Sequence, residues 1–192
     1  MKATKQTLGL ILSVFVVQMI GVRFLQAIQL EYFTLAYPLF ESQPWAIILN
    51  VYSHAGFGHL ISNAIALIIL GLIVERVTTV ARFHAFFITT GVIAGIAEVT
   101  FWLIVGSGAT SVLGASGAIF ALMGYALIGN DLAETFIESL DLGKKGTLLL
   151  FVGIAIFITL MTGGQGVALI AHATGLLMGA ISGHLRVLHT ED

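Results

Sequence analysis

Two polar side chains in a mostly apolar sequence have the types that nucleophilic catalysis needs. Ser116 lies in the tetrapeptide Gly114-Ala115-Ser116-Gly117 at the start of an apolar run, and His172 lies inside another such run. A serine hydroxyl becomes a good nucleophile when an adjacent base removes its proton, and a neutral imidazole is the usual base. The pair therefore predicts nucleophilic chemistry with Ser116 as the nucleophile and His172 as the general base.

Acyl transfer at such a serine also needs hydrogen-bond donors for the negative charge that develops on the substrate oxygen. His59 and Asn63 are spaced i and i+4, so their side chains share one face of a helix. These side chains, together with the backbone N–H of Ser116 at a helix N-terminus, could form an oxyanion hole. Gly114 and Gly117 would let the backbone and a substrate come close to the serine.

The sequence that must position these residues is built for a membrane. Of its 192 residues, 58% are hydrophobic and 9% are charged, and the mean hydropathy is +1.03. Such values lie outside the range of ordinary soluble domains, so we expect an all-α polytopic membrane protein. The lack of cysteine excludes disulfides, thiolate catalysis and cysteine-ligated metal sites, and the net charge of -2 gives no basic field for nucleic acid.

Six apolar runs predict a bundle of six transmembrane helices in a single membrane domain, residues 1–192. The runs cover roughly 7–27, 57–75, 83–105, 116–130, 147–162 and 168–187. The stretch from Leu30 to Asn50 mixes charged, aromatic and proline residues with apolar ones, which is typical of an interfacial loop. All basic residues except Arg23 fall at ends that six alternating spans place on one side, so the positive-inside rule predicts cytoplasmic termini.

This topology places four polar residues at one depth. His59, Asn63, Ser116 and His172 all lie near the outer ends of their predicted spans. The fourth run has about 15 residues, or ~22 Å of helix, against a hydrocarbon core of ~30 Å, so Ser116 would lie below the outer surface. Residues 106–111 would then dip into the protein, which is tolerated where irregular backbone lines a wet cavity. We therefore expect a water-accessible pocket that opens to the outside.

Helical spacing indicates which faces of the fourth and sixth spans meet. Small residues repeated every four positions allow two helix backbones to approach closely in lipid. The two stripes are Ser116, Phe120 and Gly124 in the fourth span and His172, Gly175, Gly179 and Gly183 in the sixth. Packing these stripes together would bring Ser116 within hydrogen-bond reach of His172.

Three motifs in this order make the chain resemble the rhomboid intramembrane serine proteases. They are His59-x-x-x-Asn63 in the second span, Gly114-x-Ser116-Gly117 opening the fourth, and Ala171-His172-x-x-Gly175-x-x-x-Gly179 in the sixth. The resemblance covers essentially the whole chain. It implies a six-helix core in which a Ser116–His172 dyad, without an acidic third member, hydrolyses peptide bonds in or beside transmembrane segments. It also implies that His59 and Asn63 belong to the oxyanion hole.

Other positions take a role from the same resemblance. His54 lies five residues before His59, where many bacterial members also have a histidine, and looks like an accessory position. Glu75-Arg76 resembles a family pair with a structural role. Phe120 stands where active bacterial members often have a tyrosine that packs on the catalytic imidazole. Because a phenylalanine ring can still stack on histidine, we expect only a modest effect on activity.

The surroundings of the site follow from hydropathy and from the resemblance. We expect transmembrane protein substrates in the bilayer of the plasma membrane, no nucleic-acid partner, and no metal or organic cofactor. The uncharged fifth span and the following Gly163-Gly164-Gln165-Gly166 are suited to a mobile gate for the substrate. His84, His184 and His189 are expected at solvated cytoplasmic ends. Neither the residues nor the resemblance predicts an oligomeric state.

Other kinds of membrane protein compete with a protease. A transporter or channel could use the same buried polar residues, but the sequence has no inverted repeat. A metalloprotease or haem protein would use the histidines as ligands, yet the sequence has no His-Glu-x-x-His. A catalytically inactive rhomboid-like protein that binds other membrane proteins is the closest alternative, and intact Ser116 and His172 argue against it. Glu98, a carboxylate inside an apolar run, is expected to form structural hydrogen bonds.

Overall fold

The structure is a computed structural model that describes residues 1–106, 111–162 and 167–190, most of them helical. Long apolar runs without proline favour helices, because a helix satisfies its own backbone hydrogen bonds in lipid. The long helices are α1 (Lys2–Gln18), α4 (Phe57–Val74), α5 (Val80–Val105), α6 (Ser116–Ile128), α8 (Gly143–Thr162) and α9 (Leu169–His184). The short elements are β1 (Leu35–Ala36), α2 (Leu39–Ser42), α3 (Ala46–Leu49), β2 (Ser111–Val112) and α7 (Asp131–Ser139).

The helical content confirms the predicted all-α class, since 76% of the structure is helical over the residues that it describes. Three described helices are long and apolar enough to cross a membrane, namely Lys2–Phe24, Phe57–Val74 and Val80–Val105. The first of these is α1 extended by a π-helical turn. The bent pair formed by α6 and α7 raises this number to four when it is taken as one span. The count of six spans stays a prediction.

Helix α6 lies at the centre of the bundle. From Gly117 to Leu122 every residue is buried, so the helix has no polar face to turn toward solvent. A helix that is hydrophobic all round is stable only inside a protein or a membrane. Its side chains join a core that includes Phe83 and Phe87 of α5 and Leu67 of α4. This central position surrounds the N-terminal end of α6, where Ser116 lies, with other helices.

Helices α6 and α9 meet along a seam that has room for backbone only. A Cβ atom on Gly175 would overlap the carbonyl oxygen of Gly117, and a Cβ atom on Gly179 would overlap that of Ala121. On the facing helix, a Cβ atom on Gly124 would overlap the carbonyl oxygen of Leu176. The predicted contact between the two stripes is confirmed, because only residues without a side chain permit this approach.

The stretch predicted as an interfacial loop is a series of short elements rather than a span. It begins with a 3-10 turn at Leu30–Phe33 and continues through β1, α2 and α3 to a second 3-10 turn at Asn50–Tyr52. Strand β1 pairs with β2 in antiparallel fashion, with Leu35 opposite Val112 and Ala36 opposite Ser111. Because β2 lies just before α6, this pairing attaches the stretch to the chain that leads into Ser116.

Polar contacts join the helix ends that lie far from Ser116. The hydroxyl of Tyr125 in α6 accepts the backbone N–H of Leu188 at 3.2 Å and lies 2.7 Å from Nδ1 of His189. The guanidinium of Arg82 donates to the carbonyl oxygen of His189 at 2.8 Å. Arg186 forms ion pairs with Asp131 and Glu134 of α7. The segment after α9 is therefore held against the start of α5 and the end of α6.

The same end of the bundle contains two further contacts between helices. Glu75 accepts hydrogen bonds from the backbone N–H and the hydroxyl of Thr4 at 2.8 and 2.7 Å, which joins α1 to the end of α4. His84 lies 3.3 Å from the hydroxyl of Thr7 and 3.2 Å from the side-chain oxygen of Gln6. Of the three histidines expected at solvated ends, His184 is exposed, whereas His84 and His189 are half-buried. Both of these pair with polar groups of other segments.

Candidate active site

One cavity of about 730 Å³ lies among the N-terminal parts of α4, α6 and α9. Ser116, His172, His59 and Asn63 all line it, together with apolar residues such as Ile119 and Met123. The structure thus brings together the four side chains that the sequence places at one depth. A volume of this size is typical of pockets that hold a small molecule or part of a peptide.

Ser116 is the first residue of α6, and the turn before it requires glycine. Gly114 has a φ of +132°, and a Cβ atom there would lie 2.7 Å from Cε1 and 2.8 Å from Nε2 of His59. The backbone N–H of Gly114 donates to the carbonyl oxygen of Asn50 at 2.9 Å. Because the first N–H groups of a helix have no partner within it, the N–H of Ser116 is a donor that an anionic group can use.

The imidazole of His172 rests on the ring of Phe120. The two ring centroids are 4.1 Å apart and their planes differ by 15°, so the predicted stacking is confirmed. Phe120 follows Ser116 by four residues, which keeps the imidazole on the side of α6 that carries the serine. His172 is 8% exposed, and its Nδ1 atom has no hydrogen-bond partner among the described residues. Stacking and the position of α9, rather than a partner on Nδ1, therefore hold the ring.

The Ser116 hydroxyl and the His172 imidazole line one cavity without a hydrogen bond between them in the described structure. Catalytic hydrogen bonds are often long before a substrate binds and shorten in the complex. The hydrogen bond expected between Ser116 and His172 therefore stays a prediction.

The candidate oxyanion donors come from the first two turns of α4. The Asn63 side chain is 6% exposed, and its amide nitrogen donates to the carbonyl oxygen of His59 at 2.9 Å. An asparagine amide carries two N–H bonds, so one hydrogen bond to the backbone leaves a second donor for the cavity. The His59 ring borders Gly114, as the close approach of its Cε1 and Nε2 atoms shows. His59 thus lies beside the turn that carries Ser116, and Asn63 lines the same cavity.

His54 supports the site from behind His59 and does not line the cavity. Its side chain is completely buried, and its ring packs edge-on against His59 with the centroids 5.0 Å apart. Burial, and then the neighbouring His59 imidazole, lower the pKa of His54 to about 4. His54 is therefore neutral at physiological pH. The accessory role of His54 stays a prediction.

Two residues that hold the site were not singled out in the sequence. Asn50 is 2% exposed, and its side-chain amide donates to the carbonyl oxygens of Ala46 and Ile47 at 2.7 Å each. Its backbone carbonyl oxygen accepts the N–H of Gly114. The Gln18 amide donates to the carbonyl oxygen of His54 at 2.8 Å and accepts its backbone N–H at 3.2 Å. The available signal was that a polar side chain in an apolar run needs a buried partner.

Some predicted features lie outside the described residues. Gly163-Gly164-Gln165-Gly166, the candidate gate, is one of them, and 107–110, most of the loop expected to dip toward the site, is another. Within the described ranges, no three histidine, cysteine, aspartate or glutamate side chains are grouped closely enough to hold a metal ion.

Comparisons with known proteins agree on one family. A family model described as Rhomboid domain matches residues 41–188. RHOMBOID-like protein 5 from Arabidopsis thaliana is 28% identical over 152 residues, which cover 79% of this chain and 47% of that protein. A Bacillus subtilis protein named "Putative rhomboid protease YdcA" is 30% identical over 152 residues, which cover 77% of this chain and 69% of that protein. The chain thus spans about half the length of the plant relative. Since the Rhomboid family model matches most of the sequence, the chain belongs to the rhomboid family.

Proposed function

We propose that this protein is an intramembrane serine endopeptidase that cleaves peptide bonds in or next to transmembrane segments. The observation that supports it most is the shared cavity of Ser116, His172, His59 and Asn63, which come from three different helices. A nucleophile, a base and oxyanion donors at one apolar pocket are the parts that acyl transfer requires. Membership of the rhomboid family supports the same reaction type, since rhomboids are generally serine intramembrane proteases that act on membrane protein substrates.

The proposed reaction has two steps of acyl transfer. His172 takes the proton of the Ser116 hydroxyl while the oxygen attacks the carbonyl carbon of the scissile bond, and the substrate oxygen becomes negatively charged. The Asn63 amide, the His59 ring and the backbone N–H of Ser116 stabilise that charge. The protonated His172 then gives its proton to the leaving amine. Water attacks the ester on Ser116 in the second step, which releases the new carboxyl end and restores the serine.

Apolar helices and family membership indicate a multi-pass membrane protein. We further propose that it lies in the plasma membrane. Both termini are assigned to the cytoplasm, because basic residues gather at the helix ends opposite those that carry His59, Ser116 and His172. These residues are Lys2 at the start of α1, Arg76 after α4, Arg82 in the first turn of α5 and Arg186 after α9. The candidate site would then open toward the outside, and substrates would enter laterally beside α8 or from above.

Reconstitution in liposomes tests the proposal. The purified chain is mixed with a fluorescent model protein that has one transmembrane segment, and the products are analysed by mass spectrometry. Cleavage within or beside the segment, together with labelling of Ser116 by a fluorophosphonate, would support the assignment. A chain that binds the model protein stably but neither cuts it nor reacts with the probe would instead be the inactive, binding type of rhomboid.

Replacing Asn63 with alanine should lower kcat by about 10²–10³-fold, because one donor to the oxyanion is lost. Asn63→Asp should be at least as slow, since a carboxylate cannot donate and its charge would repel the oxyanion. Ser62 follows His59 by three residues, lines the same cavity and is exposed, so Ser62→Ala is a matched control with near-normal rates. Equal kcat values for Asn63→Ala and the wild type would remove Asn63 from the oxyanion hole.

Changing Phe120 should affect the rate according to the shape of the ring. Phe120→Tyr keeps the flat surface under His172 and should retain kcat within about threefold. Phe120→Leu loses the stack, which is worth about 0.5–1.5 kcal/mol for aromatic pairs, and should lower kcat by roughly 2–10-fold. Initial cleavage rates at saturating substrate measure both changes. A leucine variant as fast as the tyrosine variant would mean that stacking does not orient the base.

A further inference from the structure

A buried carboxylate connects α5 to the beginning of α9. Glu98 is 4% exposed in the middle of a long apolar helix, where an ionisable residue is costly to keep. Its Oε2 atom accepts the backbone N–H of Ala171 at 2.8 Å, and its Oε1 atom accepts the indole N–H of Trp102 at 2.7 Å. Both oxygens are therefore used, one toward the neighbouring helix and one toward its own.

The hydrogen bond to Ala171 caps α9 from another helix. Ala171 is the third residue of α9, and N–H groups in the first turn of a helix have no acceptor within that helix. The residue at the N-cap position, Ala168, has no side chain that could supply an acceptor, and the structure shows no side-chain cap there. Glu98 fills this role, and the positive end of the helix dipole favours its negative charge.

The capped turn carries the candidate base. His172 follows Ala171 directly, and its Nδ1 atom has no hydrogen-bond partner among the described residues. The direction of the imidazole therefore depends on where the first turn of α9 lies and on the Phe120 ring. A small displacement of this turn would move the imidazole relative to Ser116.

Helix α6, which carries Ser116, also packs against the first turn of α9. A Cβ atom on Gly117 would lie 2.7 Å from the Cβ of Ala94 and 3.8 Å from the carbonyl oxygen of Ala171. Ala94 is one turn before Glu98 on α5. Three helices thus meet at one junction. It contains Gly117 just after the candidate nucleophile, Ala171 just before the candidate base, and the turn of α5 that carries Glu98.

We propose that Glu98 is a positioning residue for the Ser116–His172 pair. Its carboxylate fixes the first turn of α9 through the Ala171 N–H, and Trp102 fixes the carboxylate. This inference rests on the proposed peptidase function, because it assigns Glu98 a part in bringing base and nucleophile together. The carboxylate does not touch the substrate, so its effect on the reaction passes through His172.

The chemistry of the contact requires a carboxylate rather than another polar group. A glutamine of nearly the same size has one acceptor oxygen, so its NH2 group would face either the Ala171 N–H or the Trp102 indole N–H. In one orientation the Ala171 N–H loses its acceptor, and in the other it keeps only a neutral acceptor, which binds an N–H about half as strongly as a carboxylate does. In both cases the first turn of α9 would shift or fray. An aspartate keeps the charge but is shorter by one methylene, and reaches Ala171 only if the helices move closer.

The test compares Glu98→Gln, Glu98→Asp and Trp102→Phe with the wild type in liposomes, at a temperature well below the unfolding midpoint of every variant. Glu98→Gln should lower kcat by about 10–100-fold and leave KM within about twofold, because misplaced catalytic groups slow the chemical step. Glu98→Asp should recover part of kcat, and Trp102→Phe should lie between the aspartate variant and the wild type. Glu138→Gln, which removes an exposed carboxylate in α7, should match the wild type.

Amide hydrogen exchange provides a second measurement that does not depend on activity. The Ala171 amide should exchange at least about tenfold faster in Glu98→Gln than in the wild type, while amides in the middle of α9 keep their rates. A wild-type kcat for Glu98→Gln, or unchanged exchange at Ala171, would overturn the proposal. If the wild type itself neither cleaves nor reacts with the serine probe, the peptidase function fails, and the positioning role for catalysis fails with it. Faster exchange at Ala171 would then establish the cap alone.

Discussion

Replacing Ser116 with alanine should reduce cleavage of a transmembrane substrate to the uncatalysed background. Removal of a catalytic serine costs at least about 10⁴-fold in related chemistry, since no other group forms the acyl intermediate. The structure shows no hydrogen bond of the Ser116 side chain to another described residue, so the variant should fold normally. The measurement is the initial rate of product formation in liposomes, with the unfolding midpoint as a check on the fold.

His172→Ala should give a similar loss of cleavage for a different reason, because the hydroxyl of Ser116 then keeps its proton. Labelling by a fluorophosphonate tests both roles without a protein substrate. The wild type should be labelled, whereas Ser116→Ala lacks the reactive oxygen and His172→Ala lacks the base that activates it. Cleavage that persists in Ser116→Ala would refute the serine mechanism. Cleavage that persists only in His172→Ala would mean that another group activates the serine.

Gly179→Ala should be strongly destabilising, although it adds only one methyl group. The new Cβ would overlap the carbonyl oxygen of Ala121, which is backbone and cannot rotate away. Overpacking a tight contact costs about 1–3 kcal/mol, and a clash with backbone lies at or above the upper value. For a chain of this length we expect the midpoint of thermal unfolding in detergent to fall by about 10 °C. Activity should fall as well, because α6 and α9 carry Ser116 and His172.

Gly153→Ala provides the matched control for the same substitution in a helix. A Cβ atom on Gly153 of α8 would meet no atom within 4 Å, so there is nothing to displace. Alanine is also the better helix former by up to about 1 kcal/mol, and the unfolding midpoint should stay the same or rise slightly. Equal midpoints for Gly179→Ala and Gly153→Ala would show that the seam between α6 and α9 tolerates a side chain.

Much of the helical bundle and the polar centre of the site could be predicted because both depend on local patterns. Apolar runs without proline predict helices, and the glycine spacing on α9 predicted which face meets α6. The helix and seam predictions use the fixed geometry of a helix, which does not change with the surrounding structure. The contact of Phe120 with His172 was instead predicted from the rhomboid resemblance, in which an aromatic ring four residues after the serine packs on the imidazole.

The supports of the site could not be predicted, because they join segments that are far apart in sequence. The pairing of Leu35 with Val112 and the hydrogen bond from Gly114 to Asn50 depend on how an irregular stretch folds back, which periodicity does not describe. The partner of Glu98 was open for the same reason. Its burial in an apolar run predicted some acceptor role, but only the packing of α5 against α9 identifies the Ala171 N–H.

The contacts of Asn50 and β1 have a consequence for anyone who wishes to shorten or transplant this site. A fragment that began at α4 would contain every candidate catalytic side chain, yet it would leave the Gly114 amide and the β2 backbone without their acceptors and donors. In an apolar setting such unpaired groups are costly, and the turn that carries Ser116 would rearrange to pair them. The smallest transferable unit therefore starts before Leu35, upstream of the first residue that takes part in the proposed chemistry.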